Sequence, residues 1–123
     1  MDPVAEQYEA YPYPERDPAE ETRRLLTGTP SDPLEIDHFI YGGARDWSRP
    51  FRALVAGGGT GDAAFMLGQL LADAGCPAQI VYLDLSRASR KIAEARAAAR
   101  GLTNIRFETG DLVAAPDLGP FDY

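Results

Sequence analysis

The sequence predicts an α/β chain of Rossmann-like kind: part of a three-layer sandwich on a parallel sheet, preceded by an irregular and helical leader. Three observations predict it. Short apolar runs alternate with longer segments of helical period, the rhythm of βαβ units. The first run stops at a glycine-rich turn, Gly57-Gly58-Gly59-Thr60-Gly61. The second stops at an acid, Asp84, a little over twenty residues beyond Gly61 and so about one βαβ unit on.

Residues 1–50 form the leader. Met1 to Arg16 holds Tyr8, Tyr11 and Tyr13 with Pro12 and Pro14, and proline favours extended backbone over regular helix. Two readings stay open: a disordered leader, or a lid whose tyrosines close over a cofactor and exclude water. Asp17-Pro18-Ala19-Glu20 is a helix start, with Asp17 as N-cap, Pro18 in the first turn and Glu20 at the capping-box position. That short helix continues through Arg23 and Arg24, a solvated pair, to Gly28. Pro30 to Pro50 reads as loops with short turns. His38 lies among Ile36, Phe39, Ile40 and Tyr41 and reads as structural, while Trp47 packs the leader onto the core.

Residues 51–123 carry the fold. Ala53 to Ala56 is the first strand, and the glycine turn leads into a helix with Ala63, Ala64, Met66, Leu67, Leu70, Leu71 and Ala74 as its apolar positions. Glycines let a backbone approach a ligand closely and tolerate positive φ. The helix start offers unpaired N–H groups and partial positive charge, so strand, loop and helix make a cradle for a nucleotide cofactor. The dinucleotide fingerprint asks for a third glycine where this chain has Asp62. The match is Gly57, Gly59 and Gly61, and an acid at the helix start repels a pyrophosphate. A phosphate-free cofactor, S-adenosylmethionine (SAM), suits the loop better.

Ala78 to Leu83 is the second strand. An acid at the tip of that strand, here Asp84, accepts hydrogen bonds from ribose hydroxyls, roughly 1.5–3 kcal/mol for a charge-assisted bond. Asp84 is also placed to cap the helix that begins near Ser86. Ser86 to Arg100 is that helix, with Ala88, Ile92, Ala95 and Ala99 on one face and Gly101 as its C-terminal cap. Asn104 to Phe107 is the third strand. After it, Asp111 sits where a carboxylate could accept an adenine amine, with Leu112 packing on the ring. Leu118 to Tyr123 is a turn into a fourth strand.

VAGGGTGD, IVYLDLS, FETGDL and the closing FDY resemble, in order, the motifs of class I SAM-dependent methyltransferases. YEAYPYPERDP is similar to a leader found in one bacterial branch of them. The resemblance implies a methyl group transferred from SAM to an acceptor. It implies that Gly57, Gly59 and Gly61 line the methionine end of the cofactor. Asp84 then binds the ribose, Leu85 lies against the adenine, and Asp111 with Leu112 completes the adenine pocket. Thr60 and Asp62 match loop positions near the cofactor. The family's sheet has seven strands, the fourth beside the first. By that measure residues 51–123 are the N-terminal half of a SAM-binding domain that stops before strand four. Strand one is then left with an open apolar edge, a route to self-association. The residues that touch the methyl acceptor follow strand four in the family, so the catalytic residues and the acceptor stay unknown.

Composition bounds the rest. The chain has 123 residues, 45% of them hydrophobic, with 12 Lys+Arg against 19 Asp+Glu and a formal net charge of -7. This fits one small globular domain. Negative charge favours a small-molecule or protein acceptor over nucleic acid. Arg outnumbers Lys and Ala is abundant, as in products of GC-rich bacterial genomes. The lone Cys76, before Pro77, reads as a half-buried, unreactive thiol. One His and one Cys lack metal-ligand spacing, so no metal is expected. The N-terminus has no apolar signal segment and no run spans a membrane, which points to the cytoplasm. Two alternatives remain: a truncated, non-catalytic SAM-binding fragment, and an NAD(P)-dependent oxidoreductase on the same fold.

Overall fold

The computed structural model describes residues 16–19 and 31–123. The elements in order are α1 (Pro33–Tyr41), β1 (Phe51–Ala56), α2 (Asp62–Asp73), β2 (Ala78–Asp84), α3 (Arg87–Arg100) and β3 (Ile105–Thr109). A 3-10 turn (Leu112–Ala114) and the single-turn α4 (Ala115–Leu118) follow. The leader tyrosines and the body of the helix expected after Pro18 lie outside the described residues. Its start lies within them: the Ala19 N–H donates to Asp17 Oδ1 at 3.0 Å, the capping bond expected of Asp17.

Helix α1 corrects the reading of Pro30 to Pro50 as loops. Asp32 caps it by accepting from the Leu34 N–H, Pro33 opens it, and Gly42 in the left-handed conformation closes it. Asp32-Pro33-Leu34-Glu35 repeats the pattern of Asp17-Pro18-Ala19-Glu20, so the start signal was present twice. Ile36 is the buried residue of α1 and joins Phe51, Ala53, Leu67 and Leu71 in one cluster, with Tyr41 and Trp47 packed against it. His38, read as structural, is exposed on the outer side. Its neighbours Leu34, Phe39 and Ile40 face solvent with it.

The sheet follows from the crossovers. A strand that returns through a helix must lie parallel to its predecessor, and β1, β2 and β3 form one parallel sheet in that order. The register lines up Ala53 with Ile80 and Ile105, and Val55 with Tyr82 and Phe107. These rows carry α2 and α3 on one face, where Phe65, Tyr82, Ala93 and Ala97 form a second cluster. Val81 and Leu83, of opposite parity, are buried too, so β2 is covered on both sides, as a central strand requires. Cys76 is buried, more deeply than expected, and desolvation raises its thiol pKa.

The face of α3 also differs from expectation. Ser89, Ala93, Arg96 and Ala97 are buried, whereas Ala95 and Ala99 are exposed. The predicted stripe treated arginine as a surface residue. Arg96 is instead buried and paired with Asp62, and it shares the buried face with Ser89, Ala93 and Ala97.

The free edge of β1 is partly occupied. The Asp122 N–H donates to the Arg52 carbonyl at 2.6 Å, and the Leu54 N–H to the Tyr123 carbonyl at 3.0 Å. Phe121 to Tyr123 thus runs beside β1 in the same direction, where a fourth strand was expected. Arg52 holds it, with its guanidinium 4.9 Å from the Phe121 ring centroid and its backbone N–H bonded to Asp122 Oδ2. The apolar edge foreseen on strand one is therefore covered across Arg52 to Leu54.

Candidate functional site

Parallel strands bring all their carboxyl ends to one edge, and in open α/β sheets ligands bind in the crevice there, where strand order reverses. β1 is that point, with β2 on one side and Phe121 to Tyr123 on the other. The edge gathers the glycine loop after β1, Asp84 and Leu85 at the end of β2, and Gly110 to Val113 after β3. The Gly110 N–H reaches the Asp84 carbonyl at 2.9 Å, and the Gly57 and Gly58 N–H groups both reach the Leu83 carbonyl, at 2.8 and 3.1 Å. The residues singled out from the sequence are thus adjacent in space.

The loop conformation demands its glycines. Gly57, Gly59 and Gly61 all have positive φ (68°, 58° and 111°), a region that side chains rarely enter. Gly61 is the N-cap of α2 and supplies no side-chain cap. Gly58, which the fingerprint passed over, is needed for another reason. A Cβ there would lie 2.4 Å from the Tyr82 ring, as one at Gly61 would from the ring of Phe65. Tyr82 also donates its hydroxyl to the Gly59 carbonyl, so this buried ring supports the loop from below. Burial, with the Asp84 charge nearby, pushes the Tyr82 phenol well above its usual pKa, and it stays a neutral donor.

Asp84 holds two parts of the site together. Its Oδ2 accepts from the Gly59 N–H at 2.7 Å and its Oδ1 from the Ser86 N–H at 2.9 Å. The capping role is therefore real. A carboxylate offers about four lone-pair positions, so a ribose hydroxyl can still be accepted on the exposed side. Ser86 completes the cap of α3 by accepting from the Ser89 N–H.

The remaining predicted residues are less constrained. Leu85 is 41% and Leu112 60% exposed. Asp111 is exposed and caps the 3-10 turn through a 3.4 Å contact from the Val113 N–H, which is an ordinary polar turn. Acceptor oxygens beside exposed apolar side chains suit an adenosine, which offers hydroxyl and amine donors and a flat ring. On this observation the residues present fit SAM.

Thr60 and Asp62 do something the sequence did not disclose. The Arg16 guanidinium donates twice to the Asp62 carboxylate, at 2.9 and 2.6 Å. Arg96 Nη1 donates to Asp62 Oδ1 and to the Thr60 carbonyl, both at 2.8 Å. Arg96 is 1% exposed, with its guanidinium 4.7 Å from the Phe65 ring centroid. Partial burial on its own would raise the Asp62 pKa. The bonds from Arg16 and Arg96 outweigh it and hold the carboxyl below its ordinary value. The repulsion of a pyrophosphate ascribed to Asp62 is offset by these two cations. The case against a dinucleotide then rests on the missing third glycine alone. The signal for Arg96 was its spacing from Ser89 and Ala93 on one helical face.

A parallel sheet with these three loops on its carboxyl edge is an arrangement of the Rossmann-like class. No family model matches the chain, and no curated protein matches it. Solved structures do. One is a protein-L-isoaspartate O-methyltransferase, 27% identical, matched over 62% of this chain and 23% of that one with a TM-score of 0.52. Another is an arsenic(III) S-adenosylmethionine methyltransferase from Chlamydomonas reinhardtii, 18% identical, matched over 97% of this chain and 35% of that one with a TM-score of 0.50. This chain therefore spans about a quarter to a third of the length of these proteins. Within that class, the fold is the class I methyltransferase fold, represented by its first three strands. Among the described residues no helix is long and apolar enough to cross a membrane, and no cluster of His, Cys, Asp and Glu could hold a metal.

Proposed function

We propose that residues 51–123 are the cofactor-binding half of a SAM-dependent methyltransferase, with residues 1–50 as its leader. The observation that carries the reading is the Asp84 carboxylate, bonded to the glycine loop at Gly59 and still able to accept from a ribose. The likeness to a 27% identical O-methyltransferase supports methyl transfer as the kind of reaction. In this reading Gly57, Gly59 and Gly61 line the methionine end of SAM. Asp84 takes the ribose hydroxyls, and Leu85, Asp111 and Leu112 enclose the adenine.

SAM supplies an electrophilic methyl group on a positively charged sulfur. The acceptor's attack, in line with the departing sulfur, asks little of the protein beyond positioning and exclusion of water. The rigid loop and the two carboxylates of this chain would hold the adenosine and so fix where the sulfur lies. The net charge of -7 favours a small-molecule or protein acceptor over a nucleic acid, in a cytoplasmic setting.

Calorimetric titration of the chain with SAM, with NAD beside it, tests this. Saturable binding of SAM alone is expected. Preferential binding of NAD would replace the reading with an oxidoreductase, and binding of neither would remove the cofactor site from this chain.

A further inference from the structure

Three positive features surround one carboxylate at the start of α2. Asp62 is the first residue of that helix, where partial positive charge collects. Arg96 reaches it from α3, out of solvent, and grips the Thr60 carbonyl with the same nitrogen. Arg16 reaches it from the leader, 46 residues earlier in the chain, with a two-bond fork. A fork onto a carboxylate fixes orientation as well as distance. A desolvated arginine such as Arg96 requires an anion opposite it. Thr60 and Gly61, the last two residues of the glycine loop, lie between these contacts.

We infer that Arg16 and Arg96, acting through Asp62, are positioning residues for the cofactor loop, so that seating of Arg16 and binding at the loop favour one another. This rests on the SAM reading above. The Thr60 carbonyl, drawn toward Arg96, sets the peptide plane that precedes Gly61 and hence the direction of the first N–H groups of α2. Removing Arg16 leaves Asp62 with one arginine and a freer rotamer, and the loop end loosens. Removing the Asp62 charge takes from Arg96 the carboxylate to which its Nη1 donates. The coupling is reciprocal: SAM bound against the loop holds Asp62 in place and so tightens its hold on Arg16.

Two readouts test this on the full chain. The first is the SAM dissociation constant of wild type, Arg16→Ala, Arg16→Lys, Asp62→Asn and the Arg16→Ala/Asp62→Asn double variant, each with its melting temperature. Arg16→Ala is expected to weaken binding about tenfold with little change in melting, Arg16→Lys to recover part of the loss, and the double variant to be no weaker than Asp62→Asn. The second is the rate of tryptic cleavage after Arg16, which a seated guanidinium resists. SAM should slow it in wild type and not in Asp62→Asn. Saturable binding by wild type with unchanged affinity in Arg16→Ala overturns the positioning role and leaves the SAM reading standing. Cleavage equally fast in wild type and Asp62→Asn overturns the seating of Arg16. Wild type that binds no SAM overturns the functional reading and the coupling with it.

Discussion

The two walls of the candidate site are built differently. The glycine loop after β1 is fixed from several directions: Tyr82 below Gly58 and Gly59, Phe65 against Gly61, Asp84 on the Gly59 N–H, and Arg96 on the Thr60 carbonyl. The turn after β3 is held by the Gly110 bond to the Asp84 carbonyl and a long contact within the turn, with Asp111, Leu112 and Val113 all exposed. The difference separates two duties. The loop follows a left-handed path that its glycines permit, and packing against Tyr82 and Phe65 fixes that path. In the proposed reading the turn carries an acid and an apolar side chain whose partners would come with the adenine, so it would need little order of its own.

The largest expected effect comes from breaking the packed wall. Gly58→Val sets a branched side chain into the ring of Tyr82, which is fully buried and packed 5.2 Å from the Phe107 ring centroid. Destabilisation of about 3 kcal/mol, the upper part of the overpacking range, is expected in urea unfolding, with SAM binding lost. A wild-type unfolding midpoint would mean that the loop does not rest on Tyr82. Next is Asp84→Ala, which removes the carboxylate that accepts from the Gly59 and Ser86 N–H groups and, in the proposed reading, from the ribose. Affinity for SAM should fall by roughly 1.5–3 kcal/mol, about ten- to a hundredfold. If a folded variant binds as tightly as wild type, Asp84 is a cap and nothing more.

The same contrast explains what the sequence disclosed. Glycines at positive φ and an acid after a buried strand are local requirements, and Gly57, Gly59, Gly61 and Asp84 could be read directly. So could the parallel sheet, because a helix between two strands leaves few other arrangements. What supports the loop is not local. Tyr82, Arg96 and Arg16 meet it across long stretches of chain, and a buried arginine runs against the ordinary expectation of exposure. Helix α1 is equally legible: Asp32-Pro33-Leu34-Glu35 carries the same capping pattern as Asp17-Pro18-Ala19-Glu20, and Gly42 marks its stop.

Asp111→Ala tests the open wall. Its carboxylate is exposed and makes a 3.4 Å contact with the Val113 N–H, so stability should move by less than about 0.5 kcal/mol. A loss of SAM affinity at unchanged stability would assign Asp111 to the ligand; no change in either would leave it a turn residue.

Gly110→Ala should have the smallest effect and compares the two walls most directly. A Cβ at Gly110 meets the Leu83 Cδ1 atom at 3.7 Å, an ordinary contact, and Gly110 is absent from the left-handed glycines. Alanine keeps the N–H that bonds the Asp84 carbonyl, and it restricts the unfolded chain, which adds about 0.4–1 kcal/mol where the native backbone accepts it. Unfolding stability should therefore hold or rise slightly, whereas Gly58→Val collapses it. If Gly110→Ala instead costs more than about 1 kcal/mol, the turn is packed as tightly as the loop and the contrast fails. If stability holds while SAM affinity drops, the added methyl group intrudes on the ligand, and the adenine lies against Gly110 itself.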